Sequence, residues 1–355
     1  MKQVRILSFA ALAAGMGLFS SCNDDDPKPV VIPPSESGLI EVDGGGSTYP
    51  NTAYIDLSTG EQTAIQRESW DLAFSSGSDF KVLINGTTGA MASSTGKTDI
   101  SQVGADEIAA AEASGELILT FTNLEGILHV DDAANPLSNT AIAAISPTAG
   151  DNEVYLLNRG TSEATERPWK KIRITRNGTG YTLEHADADS DTFTSLEVSK
   201  NSEGNLVYVS FEDGIVEVEP AKTAWDIAWT AGTSSTPYPD ATNGTLAYFF
   251  QDLVYNNIYG GVGAAQVLEA DIAYADFTEE DVFSLSFETA DRLVIGSSWR
   301  SGGGPPGTPA PAVKTDIYYV VKDADANIYK VRFLSLTKDG ERGMPTFEYE
   351  LVVEG

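Results

Sequence analysis

Few side chains in this 355-residue chain offer chemistry beyond that of a carboxylate: it holds two histidines, one cysteine and four methionines against 52 acids. His129 stands in Ile127-Leu128-His129-Val130 and His185 in Leu183-Glu184-His185-Ala186-Asp187. A neutral imidazole is a ready metal ligand, and a thioether is a competent axial ligand for iron. Met91, in Gly89-Ala90-Met91-Ala92, and Met344, beside Pro345, are the methionines outside the first 21 residues. Both residue types also have ordinary structural uses, histidine on a strand and methionine as packing. Spacing alone singles out no pair.

Three further patterns suggest binding. Asp187-Ala188-Asp189-Ser190-Asp191 and Asp323-Ala324-Asp325-Ala326-Asn327 space their oxygens as a calcium loop opens. Thr192 and Ile328 stand where the sixth-place glycine belongs, and Val198 and Leu334 where the twelfth-place glutamate belongs, so both read as polar turns. The run from Ser301 to Pro309 is glycine-rich like a phosphate cradle. It has no lysine and no helix start, and proline removes backbone donors, so it reads as a long surface loop. Trp70, Trp225 and Trp229 could form a stacking platform, although beside alanines on strands core packing is the first reading. With two histidines and no thiol beyond Cys22, no nucleophile–base–acid set can be assembled. The residues describe a binding protein, not an enzyme.

The elements that position these side chains begin after a leader. Lys2 and Arg5 precede an apolar run ending in Phe19-Ser20-Ser21-Cys22, which has the form of a secretory signal and is too short to span a bilayer. The lone cysteine at the cleavage point is explained if Cys22 becomes a lipidated first residue. Asn23-Asp24-Asp25-Asp26 and the prolines that follow form an acidic, solvated tether. Cysteine followed by acids is similar to the signal that carries lipoproteins of Bacteroidetes-type bacteria to the outer face of the outer membrane. The net charge is −30, and removing residues 1–21 takes away Lys2 and Arg5 and no acid, which leaves −32. Such a surface repels phosphate backbones and anionic headgroups, which excludes nucleic acid as a partner.

Beyond the tether a long pattern occurs twice. Trp70-Asp71-Leu72-Ala73-Phe74 returns as Trp225-Asp226-Ile227-Ala228-Trp229, with Tyr54 upstream of one and Tyr208 of the other. Asn85-Gly86-Thr87 returns as Asn243-Gly244-Thr245, and Lys171-Ile172-Arg173 as Lys330-Val331-Arg332. Period-two alternation in 116–121, 171–175, 282–287 and 347–351 predicts strands. Asn-Gly and Asp-Gly pairs at 85, 177, 213, 243 and 339 predict tight turns, and 106–113 predicts one short helix. The expected fold is all-β: a signal peptide (1–21), a tether (22–38), and two tandem, antiparallel, mostly-β domains at 39–201 and 202–355. At roughly 150 to 160 residues, each domain is long enough to be expected to fold alone.

The Trp-Asp-apolar-Ala stretch, the run 318–333 and the closing Phe347-Glu348-Tyr349-Glu350-Leu351 resemble the HmuY family of haem-binding bacterial lipoproteins. The match is clearest over domain two, and domain one repeats it. The resemblance implies an all-β, lipid-anchored protein on the cell surface that takes haem from haem-carrying host proteins and passes it to an outer-membrane receptor. In the best-known members two histidines grip the iron, both from between the tryptophan stretch and the late strands. Only His129 falls in that zone here, and domain two has no histidine, so haem there would have to use Met344, a tyrosine such as Tyr238, Tyr255 or Tyr259, or hydrophobic burial without ligation. The haem assignment that follows is His129 with Met91 as its partner, in domain one, with domain two as a spacer or docking copy. The other function class left open is a surface interaction module that binds a glycan, a peptide or a partner lipoprotein without haem.

Overall fold

Alternating apolar residues build four main antiparallel sheets, which pack in pairs as two sandwiches. The computed structural model describes residues 33–162, 165–302 and 310–355. The signal peptide, Cys22, most of the tether, and residues 303–309 of the glycine-rich loop lie outside the described residues.

In the first sandwich a five-stranded sheet runs in the order Thr194–Val198, Gly180–Asp187, Lys170–Asn177, Val154–Asn158, Met91–Ser94. It faces a four-stranded sheet ordered Gly214–Val216, Leu206–Ser210, Leu72–Ser75, Val82–Ile84, and Leu72, Phe74, Ile172, Leu183 and Val209 fill the space between. The second sandwich repeats the plan. Its five strands are Ser37–Glu41, Thr346–Val353, Ile328–Ser335, Ile317–Lys322 and Gly263–Leu268. Its four are Thr245–Asn256, Ile227–Pro237, Asn51–Asp56 and Glu61–Gln66.

The two plans cross over in sequence. Tyr54 lies opposite Ala228, and Tyr208 lies opposite Ala73, so the leading hairpin of each repeat adds to the sheet of the other. The expected division between 201 and 202 is therefore a division between sequence repeats, not between sandwiches. The first sandwich takes its strands from 72–216, and the second joins 37–66 to 227–353.

The Trp-Asp motif explains the exchange. Asp71 N–H donates to Val209 O at 2.8 Å while its Oδ2 accepts from Phe211 N–H at 2.9 Å. Asp226 N–H donates to Ile55 O at 2.8 Å while its Oδ2 accepts from Leu57 N–H at 2.8 Å. Each aspartate thus clamps the end of the other repeat's hairpin, and each tryptophan packs edge-on against that hairpin's tyrosine. Trp70 meets Tyr208 and Trp225 meets Tyr54, both with ring centroids 5.0 Å apart.

The strands expected at 171–175 and 347–351 and the short helix (Ala105–Ser114) form. Two expected strands do not. The carbonyls of Glu116 and Ile118 are taken by Asn123 Nδ2 and that of Leu117 by Asn158 Nδ2, so side-chain amides replace a neighbouring strand along 116–121. At 282–287 a capping box wins: Thr278 N–H donates to Asp281 Oδ2 at 2.8 Å and starts a one-turn helix, Glu279–Val282.

The Asn85–Asn243 correspondence also fails. Leu72 faces Ile84 as Ile227 faces Asn256, which makes Asn85 the counterpart of Asn257. Both side-chain amides tie down the tryptophan segment, Asn85 through Trp70 O at 2.7 Å and Asn257 through Trp225 O at 3.0 Å. Asn243 instead turns the far end of a much longer hairpin, Ile227–Pro237 with Thr245–Asn256. That arm leans over the first repeat, where Thr242 N–H donates to Leu124 O at 2.8 Å.

Candidate functional site

His129 ends a short 3-10 turn, Gly126–His129, laid beside the edge strand Met91–Ser94. Its Nδ1 lies 3.3 Å from Ala92 O. With the proton on Nδ1 donated to that carbonyl, Nε2 carries the free lone pair, the arrangement by which a second partner orients a ligating imidazole. Met91 is its near neighbour, but its side chain is fully buried among Ile100, Ala111, Leu117 and Val130. The fold therefore places the two residues on neighbouring segments, with His129 half-buried and the Met91 side chain enclosed.

The segment that leads to His129 carries several exposed apolar side chains. Ile118, Phe121, Leu124 and Leu128 are all exposed, and Phe121 lies 5.8 Å from Tyr248 of the long arm. Half-buried Phe250 stands edge-on to Tyr248 at 4.9 Å.

The remaining candidates are dispersed. His185 is buried on the strand Gly180–Asp187 with its ring 4.9 Å from Phe211, and burial, then Lys170, hold its imidazole below the usual range. Met344 is half-buried in the turn before Thr346–Val353. Tyr238 is half-buried, Tyr259 donates to Asn135 Oδ1 at 3.0 Å, and Tyr255 is buried. Trp229 belongs to the second core, where it stacks on Tyr49. Both acidic pentads are turns: Asp323 Oδ1 accepts from the N–H groups of Asp325 and Asn327, and Asp187 pairs with Lys170. Among the described residues no group of three or more His, Cys, Asp or Glu is placed to hold a metal ion.

A second feature lies where the exchanged hairpins meet. Tyr54, Trp70, Tyr208 and Trp225 wall a partly open cleft of about 110 Å³, closed further by Tyr255, Asn256 and Arg292. Arg292 Cζ sits 3.9 Å over the Tyr255 ring, and its Nε donates to Ala133 O at 2.7 Å. Glu219 lines the opposite aromatic wall, accepting from Tyr208 Oη at 2.9 Å and Trp225 Nε1 at 3.1 Å. Burial raises the Glu219 carboxyl and pushes that of Asp131, also in the wall, up to about 7. Sequence reasoning named two of these tryptophans but missed Arg292, which stands in an irregular segment without a motif.

The two clamping aspartates differ in charge environment. Asp71 is paired with Arg159 and Arg167 at 2.8 Å each, whereas Asp226 has no cation within salt-bridge distance among the described residues. The position of Arg159 in the repeat is taken by Asp323. Burial pushes the Asp226 carboxyl up to about 8, opposed by the Leu57 N–H and reinforced by Asp323, Asp56 and Asp325. This folded value lies above the roughly 3.9 of an unfolded aspartate. The associated stability is fully present below about pH 4 and is lost as pH rises through about 8. Asp226→Asn is accordingly expected to raise the melting temperature by several degrees at pH 8.5 and barely to change it at pH 4.5. Equal shifts at both pH values in thermal denaturation would contradict the assignment.

The fold is an antiparallel, two-sandwich scaffold built from tandem repeats. The family model described as HmuY protein matches residues 48–188 and again 202–349, so the chain belongs to the HmuY family and carries its domain twice. Among solved structures, the crystal structure of a Tannerella forsythia apo HmuY analog overlaps it at 13% identity and a TM-score of 0.25. That overlap covers 90% of this chain and 99% of the other. No curated protein matches the chain.

Proposed function

We propose that this protein captures haem or a related porphyrin at the cell surface, with His129 as iron ligand and the apolar face around it as the seat of the macrocycle. Cys22 would carry the lipid that holds it at the outer membrane, facing the exterior, in reach of haem-carrying proteins and of an outer-membrane receptor. The observation that carries the reading is His129 itself, set against Ala92 O and preceded in sequence by exposed Phe121, Leu124 and Leu128, with Phe121 5.8 Å from exposed Tyr248.

The fit is that of an open platform. Among the described residues the cleft and three surface hollows measure about 110 to 280 Å³, too small to swallow a porphyrin, so a ring would lie across the apolar face. Bound haem would supply an iron centre for the imidazole, while Phe121, Leu124 and Leu128 would lose water beneath the ring. Met91 reaches an iron only if the 116–129 loop lifts from the core, so His129 is the ligand available in the closed form.

Titration of residues 34–355 with haemin tests this. A saturable Soret shift is expected, with His129→Ala weakening binding at least tenfold, about 1.4 kcal/mol, and Met91→Leu changing it little. A featureless spectrum, or one indifferent to His129→Ala, would favour the module that binds a glycan, peptide or partner lipoprotein.

A further inference from the structure

The cleft between the repeats has its own chemistry, independent of the haem reading. Four rings face it from the exchanged pairs, Tyr54 with Trp225 and Trp70 with Tyr208, each at most 9% exposed. Aromatic walls of this kind favour a flat, unsaturated guest, through offset or edge-to-face contact. The size matches. An apolar cavity of about 150 Å³ holds benzene, and this cleft of about 110 Å³ is partly open, so a single ring can enter with its substituent toward the rim.

Charge specifies the substituent. Arg292 is held by two contacts, Nε to Ala133 O and the face of Tyr255, that leave its terminal nitrogens without a protein partner among the described residues. No carboxylate stands within salt-bridge distance of it there, although Asp131 and Glu219 share the same wall. A guanidinium fixed at one edge and open at the other is suited to a planar, two-oxygen anion. A further wall atom, Thr233 Oγ1, is buried and unpartnered among the described residues, and its hydroxyl can donate to an oxygen in the cleft.

We propose that the seam between the two repeats binds a small, single-ring aromatic carboxylate, stacked among Tyr54, Trp70, Tyr208 and Trp225 with its carboxylate on Arg292. The site exists only because the hairpins are exchanged, since each Trp–Tyr pair draws one member from each repeat. It lies outside the apolar face around His129 and requires no iron.

Benzoate is the probe, titrated by calorimetry into residues 34–355, which form one compact unit. Saturable, submillimolar binding is expected, with toluene and acetate each at least tenfold weaker because one lacks the charge and the other the ring. Arg292→Gln should cost at least tenfold and Arg292→Lys less, with melting temperatures reported alongside. Should the Gln variant fail to fold, 5-fluorotryptophan-labelled wild type gives an independent reading. Benzoate is then expected to move the ¹⁹F resonances of Trp70 and Trp225 and to leave those of Trp229 and Trp299 in place. The absence of saturable binding, equal affinity for toluene, or shifts confined to Trp229 and Trp299 would each overturn the proposal.

Discussion

Expressed alone, residues 68–222 should unfold in a single cooperative transition, whereas residues 202–355 should remain molten until a peptide spanning 33–68 is added. The first fragment contains all nine strands of its sandwich, from Leu72–Ser75 to Gly214–Val216, together with the core of Leu72, Phe74, Ile172, Leu183 and Val209. The second lacks an edge strand and a hairpin, and with them Ile40, Val42, Ala53, Ile55 and Leu57, all core residues at most 6% exposed. Burial of a large aliphatic side chain stabilises by roughly 1.5–3 kcal/mol, so these losses approach the whole stability of a domain, about 5–15 kcal/mol. Its own hairpin, 206–216, is no ready substitute. Opposite Ala228 it would bring Val207, Val209 and Phe211 where Ala53, Ile55 and Leu57 now fit, and overfilling a packed core costs about 1–3 kcal/mol. Urea denaturation followed by circular dichroism and tryptophan fluorescence distinguishes the outcomes. A sharp transition for 202–355 alone, at the midpoint of the full chain, would mean that the hairpin can fold back and that the exchange is not obligatory.

Why the duplication was legible in the sequence while the exchange was not follows from strand chemistry. Tyr54 and Tyr208 lead hairpins with the same period-two alternation, and Ala73 and Ala228 offer the same edge to either of them. Pattern therefore marks which residues face a core but not which copy of the core. The decisive contacts, Leu57 N–H on Asp226 and Phe211 N–H on Asp71, join residues more than a hundred positions apart. Local competition explains the smaller misses. The amides of Asn123 and Asn158 and the capping box at Thr278 outbid alternation at 116–121 and 282–287. The extra length of the arm Ile227–Pro237 with Thr245–Asn256 hid the equivalence of Asn85 and Asn257. His129 stood out as the histidine between the tryptophan stretch and the late strands, but its contact with Ala92 O depends on where a 3-10 turn meets a strand. Arg292 had no signal, because a cation becomes a site only through what surrounds it.

Replacing Asp71 by alanine should be among the most damaging single changes in the chain, and the same replacement at Asp226 far milder. Asp71 is 2% exposed and accepts from Arg159 Nε at 2.8 Å, Arg159 Nη2 at 3.0 Å, Arg167 Nη2 at 2.8 Å and Phe211 N–H at 2.9 Å. Without it, among the described residues, the Arg159 guanidinium keeps only Glu212, which is itself largely exposed, and that of Arg167 only the Glu68 carbonyl at 3.3 Å. Two guanidinium groups would be left poorly compensated away from water. Breaking a buried pair in this way costs about 3–5 kcal/mol, which for a chain of this size lowers the melting temperature by on the order of 10 °C. Asp226 has no cation to strand among the described residues. Its removal loses the acceptor for Leu57 N–H, worth about 1–3 kcal/mol, and the relief of burying a carboxyl beside Asp323 offsets part of that. Asp71→Asn should fall between the two, keeping an acceptor for Phe211 while removing the charge. Urea midpoints of the three variants at pH 7.5 rank the effects. If Asp71→Ala proved no more costly than Asp226→Ala, the arginine cluster would contribute nothing to holding the exchanged hairpin, and backbone pairing alone would have to account for it.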